Sequence, residues 1–342
     1  MSRQVVGSML VWYAITTALA LAPAVAVGQD RTPSAKSPAA SPAWSARTPD
    51  GQPDLQGLWT TATLTPFQRP AELAGKPFFT AEEAAAFERQ RVQQNNVDRP
   101  DGPRDLARSA YNAVWFEWGT KVAKSHRTSL VIDPPDGRIP PLTEDARRRH
   151  ERSQAALASR PADGPEDRWL TERCILFGAA GPPMLPEPYN SNYQILQGPG
   201  YVAILVEMNH EMRIIPLDDR PHPSPQLRQW TGHSRARWEG STLVIETANF
   251  KHNNQSRFGV AWLDGMTDQN LRVVERLTRT DADTIVYQAL IDDPTVFTRP
   301  WTVEIPFNRR QEPLFEYACH EGNYGLEGIL SGTRAEELKA QK

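Results

Sequence analysis

The chain has 342 residues and a formal net charge of −3 at pH 7. Such a near-neutral balance excludes a general electrostatic attraction to nucleic acid or to an anionic membrane surface. With 39% hydrophobic residues, the chain is long enough to bury a sizeable core in one large domain or two ordinary ones.

Residues 1–28 have the pattern of a secretory signal peptide. Arg3 supplies a positive start, residues 5–22 are largely apolar, and the small residues at 24–26 form a cleavage pattern. An uncleaved anchor helix is the alternative, although Gly7 and Ser8 make the apolar run a poor membrane span. The sequence therefore predicts an exported protein, periplasmic or secreted, with no stable membrane insertion after the signal peptide is cleaved.

The chain has two cysteines, Cys174 and Cys319. In an oxidising compartment a disulfide is the default state of such a pair. Two free buried thiols are the alternative, and two distant cysteines alone do not predict a metal site. We expect Cys174 and Cys319 to be joined.

Composition divides the rest of the chain into a linker and one domain. Residues 29–54 are rich in Ser, Ala, Pro and Thr and predict a flexible linker. Residues 55–342 are predicted to form a single β-rich domain with two helical insertions. Thr80 and Glu83 form a capping box that begins a helix near 80–94, and Thr143 caps a second helix near 143–159.

Between residues 192 and 310, short runs of β-branched and aromatic residues are separated by turn signals, with no helical period. Neighbouring strands so closely spaced pair antiparallel, because parallel neighbours need a crossover helix. The predicted strands are 193–197, 201–209, 212–217, 234–239, 242–250, 271–280, 284–292 and 301–310. The fold class predicted is mainly β, an antiparallel meander closing into a lipocalin-like barrel with a few peripheral helices and a lumen for one small ligand. A β-sandwich is the alternative.

No catalytic motif of fixed spacing occurs in the sequence, so neither a cofactor nor a metal site is predicted. The candidate catalytic residues are His320 and Glu321, which follow Cys319, and His210, which repeats the His-Glu dipeptide at a tight turn. A histidine held in one orientation beside a carboxylate can take a proton near neutral pH. The alternative is that His320 only bonds a loop carbonyl in a C-terminal clamp.

The candidate ligand-binding residues are polar or aromatic side chains at strand ends and turns: Arg235, Arg237, Trp238, Asn249, Tyr324 and Trp115. Strand alternation places the two arginines on one face of 234–239 and Trp238 on the other. The arginines face either solvent or the barrel mouth, where they could bind an anion. Glu275 lies among apolar neighbours and needs a partner if it is buried. The aromatic cluster around Trp115 serves either packing or a pocket wall.

Three blocks of sequence support a resemblance. They are Asp-Pro-Pro-Asp-Gly-Arg-Ile-Pro at 133–140, Ser-Arg-Ala-Arg-Trp-Glu-Gly-Ser-Thr-Leu-Val-Ile-Glu-Thr-Ala-Asn-Phe at 234–250, and Tyr-Ala-Cys-His-Glu-Gly-Asn-Tyr at 317–324. From about residue 57 onward the chain resembles a large group of exported, mostly uncharacterised bacterial proteins that carry these blocks. The resemblance implies a shared scaffold and no particular activity. His233 and Ala236 stand where the group's pattern has Asp and Gly, which makes His233 a weaker catalytic candidate.

Three functions follow from this reading. The first is an exported barrel protein that binds a small hydrophobic or aromatic molecule bearing a polar group. The second is a cofactor-independent isomerase, lyase or hydrolase that uses a His/Glu pair in the same pocket, and the third is an envelope interaction protein. The expected partner is a small molecule, and the oligomeric state is left open.

Overall fold

The computed structural model describes residues 44–98, 113–159, 162–188, 190–251 and 269–341, which belong to one compact unit. The predicted signal peptide and residues 29–43 of the predicted linker lie outside the described residues. No helix among the described residues is long and apolar enough to cross a membrane.

In the part of the chain that the structure describes, ten strands form one antiparallel sheet that is nearly closed into a barrel. The two edge strands, β5 and β6, contact each other, and β2 adds to the sheet by pairing with β10. The predicted antiparallel barrel is confirmed. The strands in chain order are β1 Gly57–Thr60, β2 Val131–Asp133, β3 Asn192–Gly198, β4 Tyr201–Val206, β5 Met212–Pro216, β6 His233–Glu239, β7 Thr242–Ala248, β8 Arg272–Asp281, β9 Thr284–Asp292 and β10 Trp301–Arg309. Around the barrel their order is β5, β4, β3, β1, β10, β9, β8, β7 and β6.

Side-chain alternation along the strands fills the barrel interior. Trp59 of β1 is fully buried, and the Tyr193 and Phe307 rings stack with their centroids 4.9 Å apart. Tyr287 packs on the other side of Phe307 at 5.1 Å. Large aromatic side chains from four strands therefore occupy the core of the barrel, where apolar burial stabilises the fold.

The segment before β3 closes one part of this core. Ala179, Met184 and neighbouring side chains of 177–185 are buried and belong to the same hydrophobic cluster as the barrel interior. The Tyr193 hydroxyl donates to the Ala179 carbonyl at 3.0 Å, and the Met184 amide donates to the Tyr287 hydroxyl at 2.9 Å. Residues 177–188, here called the plug, therefore pack against the barrel core through the buried residues 177–185.

Among the described residues, three α-helices lie outside the sheet: α1 Ala81–Asn95, α2 Glu144–Ser159 and α3 Tyr324–Ala340. The first two match the predicted insertions. The Thr80 side chain accepts from the Glu83 amide while the Glu83 carboxylate accepts from the Thr80 amide, which is the predicted capping box. The third helix was not predicted. None of its residues is buried and its sequence has several glycines, so its apolar period gives no clear helical signal.

The predicted linker is wrong at its C-terminal end, because residues 44–54 pack on the barrel. The Arg279 guanidinium lies 4.0 Å from the Trp44 ring centroid and donates to the Asp54 carbonyl at 3.1 Å. Thr48 is buried and bonds Asp50 through its hydroxyl. The contact between the Trp44 ring and the Arg279 cation attaches residues 44–54 to the barrel. The composition of this segment alone indicates few side chains to bury.

The predicted disulfide is confirmed: Cys174 and Cys319 are joined, with Cα atoms 5.8 Å apart. The bridge ties the segment before the plug to the segment before α3. Asn323 strengthens the same junction, because its side chain donates to the Glu172 carbonyl at 2.7 Å and accepts from the Leu326 amide as the N-cap of α3.

Candidate functional site

Two cavities share Glu117 in their walls. The first, here the aromatic cavity, has a volume of about 410 Å³ and is lined by Val114–Glu117, Asn190, Glu207 and Phe315–Tyr317. The second, here the Glu187 cavity, has a volume of about 380 Å³ and is lined by residues 62–67, 117–118 and 186–188 together with Arg91, Asn95 and Leu130. The Glu117 amide donates to the Pro188 carbonyl at 2.7 Å. This bond attaches the segment around Glu117, which borders both cavities, to the plug.

The aromatic cavity combines four aromatic side chains with three carboxylates. The aromatic residues are Trp115, Phe116, Phe315 and Tyr317, and the acidic residues are Glu117, Glu207 and the exposed Glu316. Trp115 and Phe315 are more than half exposed, at 64% and 62%, so the cavity opens to solvent. Exposed aromatic surface beside buried carboxylate oxygens is the composition of a ligand site, because the rings supply contact area and the carboxylates set orientation.

Hydrogen bonds hold both carboxylates in place. Glu117 accepts from the Asn190 amide at 3.0 Å and from the Asn192 side chain at 2.9 Å, and its other oxygen accepts from Arg310 at 2.7 Å. Glu207 is buried and accepts from the Asn190 and Asn192 side chains at 2.7 and 3.1 Å. Its second oxygen accepts from the Phe315 amide at 3.1 Å. This network contains the carboxylates of Glu117 and Glu207 and the guanidinium of Arg310, so its net charge is negative.

The Glu187 cavity has a mostly apolar wall. Leu64, Phe67, Trp118 and Leu130 line it together with prolines at 66, 186 and 188. The plug contributes one charged residue to this wall, Glu187. The residue is partly exposed, but its Oε1 atom is buried and has no hydrogen-bond partner.

Burial raises the pKa of the Glu187 carboxyl to about 7, because an apolar surrounding penalises the charged form. The backbone amides of Gly178 and Ala179 oppose this shift without cancelling it. A carboxyl that changes its charge near neutral pH inside a cavity is a candidate functional group.

Two predicted site residues lie at the aromatic cavity. Trp115 lines it directly, so the aromatic cluster contributes a pocket wall. His210 is exposed, and its Nδ1 atom lies 3.2 Å from the carbonyl oxygen of Tyr317, a residue of the wall. His210 therefore contacts the cavity wall through backbone and does not line the cavity.

The C-terminal candidates lie elsewhere. His320, Glu321 and Tyr324 are exposed, and none of them lines either cavity. Tyr324 is 78% exposed and begins α3. Neither the aromatic cavity nor the Glu187 cavity brings His320 and Glu321 together with an arginine, and their catalytic roles stay predictions.

The charged side chains of β6 face the outside of the barrel. Arg235 pairs with Asp218, and Arg237 pairs with Glu239 at 2.8 Å and with Glu246. The two arginines line a shallow outer cavity of about 270 Å³. The reading that placed them in the barrel mouth is wrong, because the inner positions of this strand are Ser234, Ala236 and Trp238.

The other two ligand-binding candidates are separate from the arginines. Trp238 points inward and packs against the main core. Asn249 has a left-handed backbone, with φ of 59°, and its side chain donates to the Pro223 carbonyl at 2.9 Å. The six predicted ligand-binding residues thus occupy at least three different places in the fold.

Sequence reasoning missed the four carboxylates that line the cavities, Glu117, Glu187, Glu207 and Glu316. The only local signal was the long Gly/Pro loop from 178 to 192, a type of segment that often lies at a functional site. Glu207 follows β4 and Glu117 lies within the aromatic cluster, and no spacing connects the two. Their convergence depends on the pairing of β4, β3, β1 and β10 side by side in the sheet.

Among the described residues, no group of three or more His, Cys, Asp or Glu side chains is arranged to hold a metal ion. Comparison of the chain with family models, curated proteins and solved structures gives no match. The function is therefore argued from the geometry of the cavities.

Proposed function

We propose that this protein is exported and binds a small aromatic molecule with a hydrogen-bond-donating group, such as an amine or a hydroxyl, in the aromatic cavity. The observation that carries the proposal is the convergence of Trp115, Phe116, Phe315 and Tyr317 with the carboxylates of Glu117 and Glu207 in one cavity of about 410 Å³.

The polarity of the ligand follows from the carboxylates. An ionised carboxylate only accepts hydrogen bonds, so its partner must donate. An amine or hydroxyl satisfies this requirement, whereas a ligand carboxylate meets repulsion from Glu117 and Glu207. A ligand of this cavity therefore presents a cationic or neutral hydrogen-bond donor, whereas a ligand of Arg235 and Arg237 would be an anion.

The location outside the cytoplasm rests on two features. The Cys174–Cys319 disulfide supports an oxidising compartment, and residues 1–28 have the pattern of a secretory signal. Export to the periplasm or beyond accounts for both.

The test is a calorimetric titration with two probes of similar shape and opposite charge, 2-phenylethylamine and phenylacetate. We expect 2-phenylethylamine to bind at least about tenfold more tightly, a difference of about 1.4 kcal/mol. Trp115→Ala removes a large contact surface and should weaken amine binding by a similar factor.

Tyr324→Ala is the matched control, because it also removes an exposed aromatic ring but lies outside the cavity. It should leave amine affinity unchanged. Equal affinity for the two probes, or equal loss in the two variants, contradicts the proposal.

A further inference from the structure

Glu187 differs from Glu117 and Glu207 in its surroundings. Glu117 and Glu207 each accept several hydrogen bonds, whereas Oε1 of Glu187 is buried without a partner. Buried polar atoms are normally satisfied, and an unsatisfied one in a native fold needs an explanation. The backbone amides of Gly178 and Ala179 hydrogen-bond to this carboxyl, and the Glu187 side chain also lines the cavity, so a poorly solvated carboxyl lies next to a space that a ligand can occupy.

The wall of the Glu187 cavity has the composition of a binding site for a neutral molecule. The side chains of Leu64, Phe67, Trp118 and Leu130 line the space, and the volume of about 380 Å³ accommodates a molecule of one or two rings. Arg91 and Glu117 are the charged residues that share the wall with Glu187. Glu117 is already bonded to Arg310 and to two asparagines.

We propose that the Glu187 cavity is a proton-transfer site, in which the Glu187 carboxylate removes a proton from a small, neutral, largely apolar substrate. An O–H bond forms on the carboxylate as the substrate C–H bond breaks, and the electron pair stays in the substrate. Return of that proton to a different atom completes an isomerisation, and loss of a leaving group completes an elimination. Neither outcome needs an external oxidant or reductant.

The surroundings favour such a base. A carboxylate with little solvation is a stronger base than one in water, and a pKa of about 7 leaves a substantial ionised fraction at neutral pH. The buried Tyr193 is a titratable group that interacts with Glu187, and burial raises the pKa of Tyr193 further above its usual value, which already lies above the neutral range. Near pH 7, Glu187 is therefore expected to titrate without a change of charge on Tyr193.

This proposal concerns a different cavity from the proposed aromatic amine site and does not depend on it. A failure of 2-phenylethylamine to bind leaves the Glu187 cavity untouched. The reverse also holds, because Glu187 does not line the aromatic cavity.

The experiment uses 5-nitro-1,2-benzisoxazole, a neutral bicyclic probe. Removal of its C3 proton by a base breaks the ring N–O bond and gives the coloured 2-cyano-4-nitrophenolate, so a positioned carboxylate is the only catalyst required. We expect the full-length protein to accelerate this ring opening, with a rate that rises with pH around a midpoint of about 7.

Glu187→Gln should lower that rate by roughly 10²-fold, the usual contribution of a general base. Glu336→Gln is the matched control, because Glu336 is an exposed carboxylate of α3 outside both cavities, and it should leave the rate and its midpoint unchanged. Equal rates for the wild-type and Glu187→Gln proteins overturn the proposal, and so does a rate that does not follow a midpoint near 7.

A second measurement keeps the proposal testable if Glu187→Gln does not fold. The side-chain carboxyl carbons of ¹³C-labelled glutamates report ionisation directly by NMR in the wild-type protein. Addition of the probe's stable analogue, unsubstituted indole, should shift the resonance that titrates near pH 7. An indole-insensitive resonance shows that the cavity does not admit such a molecule and overturns the proposal.

Discussion

At the residue scale, the partly exposed Glu187 and the buried Glu275 show two ways of placing a carboxylate in an apolar region. Glu275 is fully buried and binds both Arg213, through its Nη1 atom at 3.0 Å, and the Tyr287 hydroxyl at 2.9 Å. The need for a partner was visible in the sequence, because Glu275 alternates with apolar residues. Glu187 has no such pattern around it, so neither its burial nor its missing partner could be predicted.

The raised pKa of Glu187 predicts a specific pH dependence of stability. In the unfolded chain this carboxyl loses its proton near its ordinary pKa of 4.5, whereas in the folded protein it keeps the proton up to about 7. Between these values the folded state holds more protons, so the free energy of unfolding falls as pH rises and levels off above 7. The loss is up to about 3 kcal/mol for a shift of this size.

Glu187→Gln should remove this loss. We expect the variant to gain up to about 3 kcal/mol relative to the wild type between pH 4 and pH 8, measured by chemical denaturation at both values. Glu336→Gln should follow the wild type, because its carboxyl is exposed. Parallel pH profiles for Glu187→Gln and the wild type would show that the carboxyl is not desolvated.

At the element scale, the seam of the barrel is closed by side chains. Arg213 lies on edge strand β5 and reaches Glu275 on β8, while its Nη2 atom donates to the Ser234 hydroxyl of edge strand β6 at 3.3 Å. The Ser234 hydroxyl lies 2.8 Å from that of Thr247 on β7. One buried arginine thus connects edge strand β5 to edge strand β6 and to β8.

Arg213→Met should destabilise the protein by about 3–5 kcal/mol, because it leaves Glu275 charged, buried and without its cation. Adding Glu275→Gln should recover part of that loss, since the remaining polar group is neutral and can still accept from Tyr287. Denaturant unfolding measures both effects.

Arg237→Met is the matched control on neighbouring strand β6. Its ion pairs with Glu239 and Glu246 are exposed, so its removal should cost no more than about 1 kcal/mol. Equal costs for Arg213→Met and Arg237→Met would contradict a structural role of Arg213 at the seam.

The strands were predictable from local pattern and the last helix was not. A period of two with turn residues between runs identifies strands such as β7 and β9, because one face of each is buried in the barrel. Strand β4 ends earlier than predicted, at Val206, since Asn209 adopts a left-handed backbone with φ of 58° in the following turn. Helix α3 buries none of its residues, so no apolar face marks it.

At the scale of the whole molecule, the fold was more predictable than the site. The antiparallel runs β3–β5 and β6–β10 follow from the spacing of strands in sequence, whereas the insertion of β1 between β3 and β10 and the seam between β5 and β6 do not. The cavities arise where segments distant in the chain meet, as when Glu117, Asn190 and Arg310 converge through hydrogen bonds. Arg235 and Arg237 were attractive as ligand residues because of their charge, and strand alternation alone left their direction open.

The disulfide is a covalent link between two segments that are distant in the chain. Cys174 and Cys319 are 145 residues apart, and the bridge holds the chain next to the plug against the start of α3. A cross-link over a loop of that length restricts the unfolded chain and stabilises the fold by roughly 5 kcal/mol on the chain-entropy model. The Asn323 bond to the Glu172 carbonyl remains without the bridge but contributes about 1 kcal/mol only.

Replacing both cysteines, as Cys174→Ser with Cys319→Ser, should therefore lower the free energy of unfolding by roughly 5 kcal/mol, with reductant destabilising the wild type by a similar amount and the double variant not at all. Denaturant unfolding with and without reductant measures each arm, and thiol counting on denatured, exported protein gives an independent check. Two free thiols per chain would contradict the bridge. A double variant as stable as the wild type would show that packing of the plug, rather than the cross-link, holds Cys174 and Cys319 together.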